Sequence, residues 1–216
     1  MRIDMHIHSN YSRDSIAKAG EIFRTAKRTG LDGIAITDHN TCEGWEEMRD
    51  EAKKNNMKLI LGEEVSILEG GRRIGDVLAY FIKEGVRAGT LDDIIDQIKG
   101  QSGIVGIAHP FDMHKSRLDE KLVKKVDAVE VYNSRVLFPS ANTRAMDLAR
   151  RYKLGMTAGS DAHTRWEVGN AYTYAKANDL EEFREGIIKR KSEVHGKMIF
   201  PFLRIFPSLA KLGVIR

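Results

Sequence analysis

The stretch Arg2–His8, with the sequence RIDMHIH, alternates apolar and ionisable side chains. This period of two predicts a strand that turns Met5 toward a core and Asp4, His6 and His8 toward the other face. Two residues along a strand span about 7 Å, so both imidazoles can reach one cation, with Asp4 either holding an imidazole or capping the strand. We therefore expect a strand that carries the first ligands of a metal site. The alternative is a half-buried strand with surface histidines.

Short apolar strands alternate with amphipathic helical segments along most of the chain. The patterns predict strands at 31–37, 58–61, 76–82, 103–108, 127–132, 155–158 and 170–174, and helices at 16–29, 43–56, 90–100, 117–126, 140–152 and 179–190. Alternation of this kind indicates βα units and a parallel sheet. About seven such repeats favour a closed or nearly closed barrel over an open doubly wound sheet.

Ionisable side chains recur where the predicted strands end, which is where barrel enzymes place their chemistry. They are His6, His8, His39, Glu64, His109, Glu130, Asp161 and His163. Histidine and carboxylate without cysteine favour Zn²⁺, Mn²⁺ or Fe over a structural zinc finger. So many ligands predict more than one ion, with Glu64 as the carboxylate shared between two of them.

Five motifs in this order resemble those of the PHP (polymerase and histidinol phosphatase) family. They are Asp4-x-His6-x-His8, Thr37-Asp38-His39, Gly62-x-Glu64-x-Ser66, Ala108-His109-Pro110 and Gly159-Ser160-Asp161-Ala162-His163. The resemblance covers roughly residues 1–175. It implies an α/β fold of a single domain, a distorted (β/α)₇ TIM-like barrel, with two or three divalent metal ions and phosphoesterase activity.

Carried over residue by residue, the resemblance implies three metal positions. The first set is His6, His8, Glu64 and Asp161, the second is Glu64, His109 and Asp76, and the third is Asp14, His39 and His163. Many relatives have a histidine where this chain has Asp76. An aspartate there would shift the preference toward Mn²⁺ or Mg²⁺, or it would simply cap the strand.

The same resemblance implies a hydrolase in which a metal-bridging hydroxide attacks phosphorus. His39, His163 and Asp161 are the catalytic candidates, and His39, His163 or a metal-bound water assists the leaving group. The expected substrate is a small phosphomonoester or the phosphate of a nucleotide or oligonucleotide end. Two alternatives stay open: an amidohydrolase-type C–N hydrolase, and a non-catalytic subunit or binding module on the same scaffold.

Four further residues are candidates for substrate binding. Arg13, Arg135 and Arg144 carry guanidinium groups that pair with phosphate in a bidentate manner, and His114 follows a motif by five residues. The alternative for each arginine is an ordinary surface position. Glu130 is either an acceptor behind a ligand or a structural residue.

The last segment differs in composition from the rest. We therefore divide the chain into a barrel over 1–195 and a tail over 196–216, which is rich in apolar residues and has spaced basic residues and prolines at 201 and 207. The tail is expected to pack on the barrel. Its alternatives are a homo-oligomer contact or adhesion to a membrane surface.

Charge and cysteine content add only broad limits. The net charge of +4 arises from 35 basic and 31 acidic residues, a mild bias toward anionic partners such as phosphates or nucleic acid. The single cysteine, Cys42, excludes an internal disulfide and is expected to be a small buried residue. No apolar run reaches the length of a membrane span, and the first residues show no signal-peptide pattern. A cytoplasmic location is expected.

Overall fold

The computed structural model describes residues 1–112 and 119–215. Within these residues the chain forms β1 (Arg2–Ile7), α1 (Ala19–Arg28), β2 (Gly33–Ile36), α2 (Trp45–Asn55), β3 (Lys58–Glu69), β4 (Arg72–Tyr80), α3 (Leu91–Gly100), β5 (Ile104–Ile107), β6 (Ala128–Asn133), α4 (Ser140–Tyr152), β7 (Gly155–Gly159), β8 (Ala171–Tyr174), α5 (Leu180–Ile188), β9 (Glu193–Gly196) and α6 (Ile205–Lys211). Two 3₁₀ helices, Glu120–Lys125 and Pro201–Arg204, complete the described elements.

One sheet connects the nine strands of the described chain in the order β7-β6-β5-β4-β3-β2-β1-β8-β9. Strands β1 to β3 run parallel, as do β5 to β7, and β4 runs antiparallel to both of its neighbours. The reversal follows from a tight hairpin between β3 and β4, in which Gly70 and Gly71 have φ values of 55° and 76° that side chains with a Cβ rarely adopt. Strands β1 to β7 form the expected distorted barrel.

The barrel closes where the ends of β1 and β7 meet. The Asp161 N–H donates to the His6 carbonyl at 2.8 Å, and the His8 N–H donates to the Ala162 carbonyl at 2.9 Å. This approach requires a glycine, since a Cβ on Gly159 would lie 2.2 Å from the Cβ of His6. Glycine at this position therefore brings the residues after β7 against the first strand.

Strand β1 is buried along nearly its whole length. Ile3, Met5, His6, Ile7 and His8 are all 0% exposed. Packing of this kind stabilises by about 1.5–3 kcal/mol per large apolar side chain. The alternative of a half-buried strand with surface histidines is therefore wrong.

Helix α1 shows how the outer layer is attached. Its buried residues Ile22, Phe23 and Ala26 lie at helical spacing, and they join the main apolar cluster between the helices and the sheet. The opposite face of α1 remains exposed and carries Arg24 and Arg28. The helix thus anchors the loop that precedes it, which contains Asp14.

The end of the chain packs partly on the barrel. Ile199 and Leu203 are 4% and 6% exposed, and the Ile199 N–H donates to the Ser134 carbonyl at 3.1 Å. The sequence patterns do not predict strand β9 or helix α6, because both elements are short. The division at residue 195 and a role of the tail in association stay predictions. Within the described ranges, none of the helices combines the length and apolarity needed to span a bilayer.

Candidate metal centre

The first candidate metal position lies where β1 meets the loop after β7. His6 Nε2 lies 3.0 Å from His8 Nε2, and His8 Nε2 lies 3.3 Å from both Asp161 Oδ1 and Glu64 Oε2. Two ligand atoms on one tetrahedral Zn²⁺ lie about 3.3 Å apart, because each bond is about 2.0–2.2 Å long. These four side chains therefore have the spacing of a ligand set before any ion binds.

The second candidate position shares Glu64 with the first. Glu64 Oε1 lies 2.9 Å from His109 Nε2, whereas Oε2 is buried and accepts no hydrogen bond in the described structure. Asp76, predicted as the third ligand here, is instead held by the guanidinium of Arg73, whose Nε donates to Asp76 Oδ1 at 2.7 Å. A ligand role for Asp76 stays a prediction.

The third candidate position is the most open. Asp14 Oδ2 lies 3.4 Å from His39 Nε2 and 3.5 Å from His163 Nε2. The side chain of His39 is 28% exposed, the most of the three ligand candidates at this position. Lys211 of α6 also reaches it, with Nζ 3.1 Å from Asp14 Oδ2.

A layer of polar side chains fixes the ligands from behind. Glu130 Oε1 lies 2.9 Å from His6 Nδ1, and Glu130 Oε2 accepts from the His109 N–H at 3.0 Å. The Asn133 amide donates both to Glu130 and to Asp161 Oδ2, at 3.0 and 3.2 Å. One buried carboxylate thus orients ligands from two strands, as partners of metal-bound histidines commonly do.

Asp38 organises the loop that carries Asp14. It accepts from the Ser9 N–H at 2.7 Å and from the Ser12 hydroxyl at 2.8 Å. The Ser12 hydroxyl oxygen in turn accepts from the His39 N–H at 3.0 Å and lies 3.3 Å from His8 Nδ1. Asp38 therefore acts on the ligands through Ser12.

Asp4 was predicted either to hold an imidazole or to cap the strand, and its contacts in the structure are those of a structural residue. Its carboxylate accepts from the backbone N–H groups of His6, Ser160 and Gly169. Burial raises its pKa to about 6, against the lowering effect of these hydrogen bonds. Asp4 thus joins β1 to the loop after β7, and Glu130 performs the imidazole-orienting role.

Two ligand candidates have backbone conformations that are rare for residues other than glycine. His109 has φ of 27° and Asp161 has φ of 54°. Such conformations cost on the order of 1–3 kcal/mol and persist where the surrounding structure enforces them. Here, just after β5 and β7 have ended, they turn His109 toward Glu64 and Asp161 toward His8.

The charges of the cluster are strongly coupled. Burial opposes the charged form of His39, but the carboxylates of Glu64 and Asp14 outweigh it and raise its pKa to about 10. Burial and the neighbouring His8 lower the pKa of His163 to about 3. Burial would raise the pKa of Glu64, yet His39 and His6 hold it well below its usual range. Where an imidazole is protonated because carboxylates lie beside it, a divalent ion can replace the proton as the positive charge. Such a cluster is therefore suited to bind metal and release protons.

The donor set fits the two or three divalent ions that the sequence predicted. Three groups have ligand atoms within 4.8 Å of one another: His6, His8 and Asp161; His6, Glu64 and His109; and His8, His39 and His163. Nitrogen and carboxylate ligands suit Zn²⁺, Mn²⁺ and Fe. An ion at this point would bind the Glu64 Oε2 oxygen, which is buried and accepts no hydrogen bond in the described structure.

The predicted substrate residues are spread around the centre. Arg13 lines the cleft of about 610 Å³ that contains Asp14 and His39. Arg135 is buried and pairs with Glu167, and the Arg144 guanidinium lies 4.1 Å from the centre of the Phe111 ring. His114 lies outside the described residues.

Sequence reasoning missed several polar residues of the centre: Ser12, Asn133, Glu167 and Lys211. Glu167 accepts from the His163 N–H at 3.0 Å. Ser12 lies close to the first motif and Asn133 follows Glu130 by three residues, so their proximity to predicted ligands was a usable indication. Lys211 had no such indication, because it lies 48 residues after His163 in a tail of different composition.

When the chain is compared with known protein families, one family matches nearly its whole length. The model of the PHP domain matches residues 4–204. The uncharacterized protein MJ0417 of Methanocaldococcus jannaschii is 31% identical over 191 residues, which are 84% of this chain and 73% of that protein.

Two solved structures share the fold. A two-domain protein from Bacteroides vulgatus, described as containing a PHP-like metal-dependent phosphoesterase, has a TM-score of 0.77 at 20% identity, over 91% of this chain and 65% of that one. An amidohydrolase from Chromobacterium violaceum has a TM-score of 0.66 at 16% identity, over 88% of this chain and 97% of that one. At such identities the likeness concerns the fold alone.

Proposed function

Because this chain belongs to the PHP domain family, we propose that it is a metal-dependent phosphoesterase acting on a phosphomonoester or on a nucleotide or oligonucleotide phosphate. The observation that carries the proposal is the position of Glu64. Its Oε2 lies 3.3 Å from His8 Nε2 and 3.0 Å from His39 Nδ1, and its Oε1 lies 2.9 Å from His109 Nε2. One carboxylate thus touches ligands of all three candidate positions.

The residues around the centre suit a phosphate ester. Divalent ions at these positions would lower the pKa of a water molecule and offset negative charge on phosphoryl oxygens. Arg13, Arg73 and Lys211 line the cleft of about 610 Å³ beside Asp14 and His39, so cationic side chains can hold the phosphate. Of the catalytic candidates, His39 lines this cleft, which supports a role for it in giving a proton to the leaving oxygen.

The proposal is tested by metal analysis and hydrolysis of p-nitrophenyl phosphate on the same purified sample. Glu64→Gln should lose at least one ion per chain and lower the rate by a factor of 100 or more. Glu63→Gln is the matched control. Its carboxylate lies on the neighbouring residue but accepts from the Val86 N–H at 2.9 Å, away from the histidines, and it should retain metal and rate.

Three results would contradict the proposal in different ways. Bound metal with cleavage of amide substrates but of no phosphate ester would favour the amidohydrolase alternative. Bound metal without either activity would favour a binding module. Failure to bind Zn²⁺, Mn²⁺ or Fe²⁺ would remove the metal centre itself.

A further inference from the structure

A row of connected clefts leads away from the metal centre. The cleft that contains Asp14 and His39 shares Arg13 and Lys211 with a second cleft of about 680 Å³. Lys18 lines both this second cleft and a third, of about 250 Å³. The path therefore passes from the ligands along the loop before α1.

The path continues over the outer face of α1. The third cleft shares Glu21, Arg165 and Trp166 with a fourth, of about 340 Å³, which Arg24 and Arg28 also line. We call the exposed residues Arg13, Lys18, Arg24, Arg28, Trp166 and Lys211 the basic track. From Lys18 to Arg28 the helix rises about 15 Å, which is the length of roughly four stacked nucleotides at 3.4 Å each.

Most cations of the basic track are not paired with a carboxylate in the described structure. Among the residues that the structure describes, Arg13, Lys18, Arg24 and Arg28 form no ion pair. By contrast, Arg165 pairs with Glu21, the carboxylate of the two outer clefts. Four exposed cations that form no ion pair are suited to a ligand with several negative charges, and not to a single small anion.

An exposed aromatic ring lies among these cations. Trp166 is 50% exposed, and its ring centre lies 5.7 Å from that of Phe206 in α6. The guanidinium of Arg165 lies 4.9 Å from the Trp166 ring centre. A supported indole beside unpaired cations is the combination by which proteins bind single strands, with bases on the ring and phosphates on the cations.

We propose that the basic track binds single-stranded nucleic acid and leads one end of the strand to the metal centre. The inference rests on the proposed function for the role of that end. It adds a binding site about four nucleotides long that is separate from the candidate metal ligands. It also favours an oligonucleotide over a small phosphomonoester as the substrate. Lys211 connects the two sites, because its Nζ lies 3.1 Å from Asp14 Oδ2.

The test is fluorescence anisotropy with phosphorothioate-linked strands of 12 nucleotides, DNA and RNA, which resist cleavage. Arg24→Gln with Arg28→Gln should weaken binding about tenfold and reduce the slope of log affinity against log salt by about 1.4, or 0.7 per lost phosphate contact. Trp166→Ala should weaken binding by a similar factor with little change of slope, and Trp166→Phe should restore most of it. Because no hydrolysis is measured, a failed phosphoesterase assay leaves this test intact.

Arg49→Gln with Lys53→Gln is the matched control. These two exposed cations lie one turn apart on α2 and outside the four clefts, so affinity and slope should stay within twofold of the parent. Equal loss in the control and the track variant would show general charge attraction and overturn the proposal. So would affinity that does not increase from a dinucleotide to a hexanucleotide, or binding to phosphatidylserine vesicles without binding to either strand.

Discussion

Glu130 and His6 form a buried pair in which Oε1 of the glutamate lies 2.9 Å from Nδ1 of the imidazole. Both side chains are almost fully inaccessible to solvent, at 1% and 0% exposure. Because a carboxylate can only accept, the contact requires a proton on Nδ1 of His6 and leaves Nε2, which faces Glu64 and His8, as the atom that can bind an ion. A residue that touches no candidate ion thus controls the direction of a ligand.

Replacing this carboxylate should therefore weaken metal binding without removing a ligand. Glu130→Gln should lower the affinity for Zn²⁺ or Mn²⁺ about tenfold, and Glu130→Ala up to about 100-fold. Competition with a chelator of known affinity measures both values. Glu193→Gln, at a carboxylate 68% exposed, is the control, and equal affinities in all three variants would contradict an orienting role for Glu130.

Asp14 should hold one ion without affecting the others. Its carboxylate lies near His39 and His163, whereas the buried ligand sets around Glu64 do not include it. Asp14→Asn keeps the shape of the side chain but removes its charge, so metal analysis should give about one ion per chain fewer than in the parent. An unchanged metal content would remove Asp14 from the ligand set.

Gly159→Ala should damage both stability and the metal centre. The added Cβ would lie 2.2 Å from the Cβ of His6 and 2.6 Å from its backbone nitrogen, so one of the two strands must move. Overpacking of this kind typically costs 1–3 kcal/mol, to be measured by urea unfolding. Gly100→Ala is the control, since its Cβ would meet no atom within 4 Å. Comparable losses in the two variants would contradict the role of close strand approach.

Glu63 should make the protein less stable as the pH rises from 4.5 to about 7. Burial raises the pKa of its carboxyl from 4.5 to about 7, so the folded state retains a proton that the unfolded state has lost. The free energy of unfolding should then fall as pH rises between these two values, by at most about 3 kcal/mol.

Thermal unfolding of Glu63→Gln at two pH values checks this dependence. The variant cannot ionise but can still accept from the Val86 N–H, so it should match the parent at pH 5 and exceed its melting temperature at pH 8. An equal difference at both pH values would mean that the substitution acts through packing and not through charge.

Much of the barrel could be predicted because its determinants are local. The alternation in Arg2–His8 and the helical spacing of Ile22, Phe23 and Ala26 each follow from neighbouring residues, and both elements formed as expected. The predicted ligands converge for a related reason. Parallel strands end on the same side of a barrel, so His8 and Asp161 meet although they are far apart in sequence.

The remaining features depend on long-range packing. Arg73 holds both oxygens of Asp76 although residues three apart in a regular strand point to opposite faces; the register shift between β3 and β4, which pairs Ile67 with Gly75 and Leu68 with Arg73, is not visible in the sequence pattern. Lys211 reaches Asp14 only after the tail has packed through Ile199 and Leu203. Patterns among neighbouring residues carry no information about such contacts between distant segments. The positive φ values of His109 and Asp161 likewise depend on how the complete barrel packs around them.

The two hydrogen bonds between β1 and the residues after β7 also connect barrel closure to the metal centre. The amide of His8 and the amide of Asp161 close the barrel, and the side chains of the same two residues belong to the candidate ligand set. An ion shared by them would tie the strands together a second time. Hydrogen exchange at these two amides should then slow when metal is added. Exchange rates at the junction of β1 and β7 would therefore measure occupancy of the metal centre without any substrate.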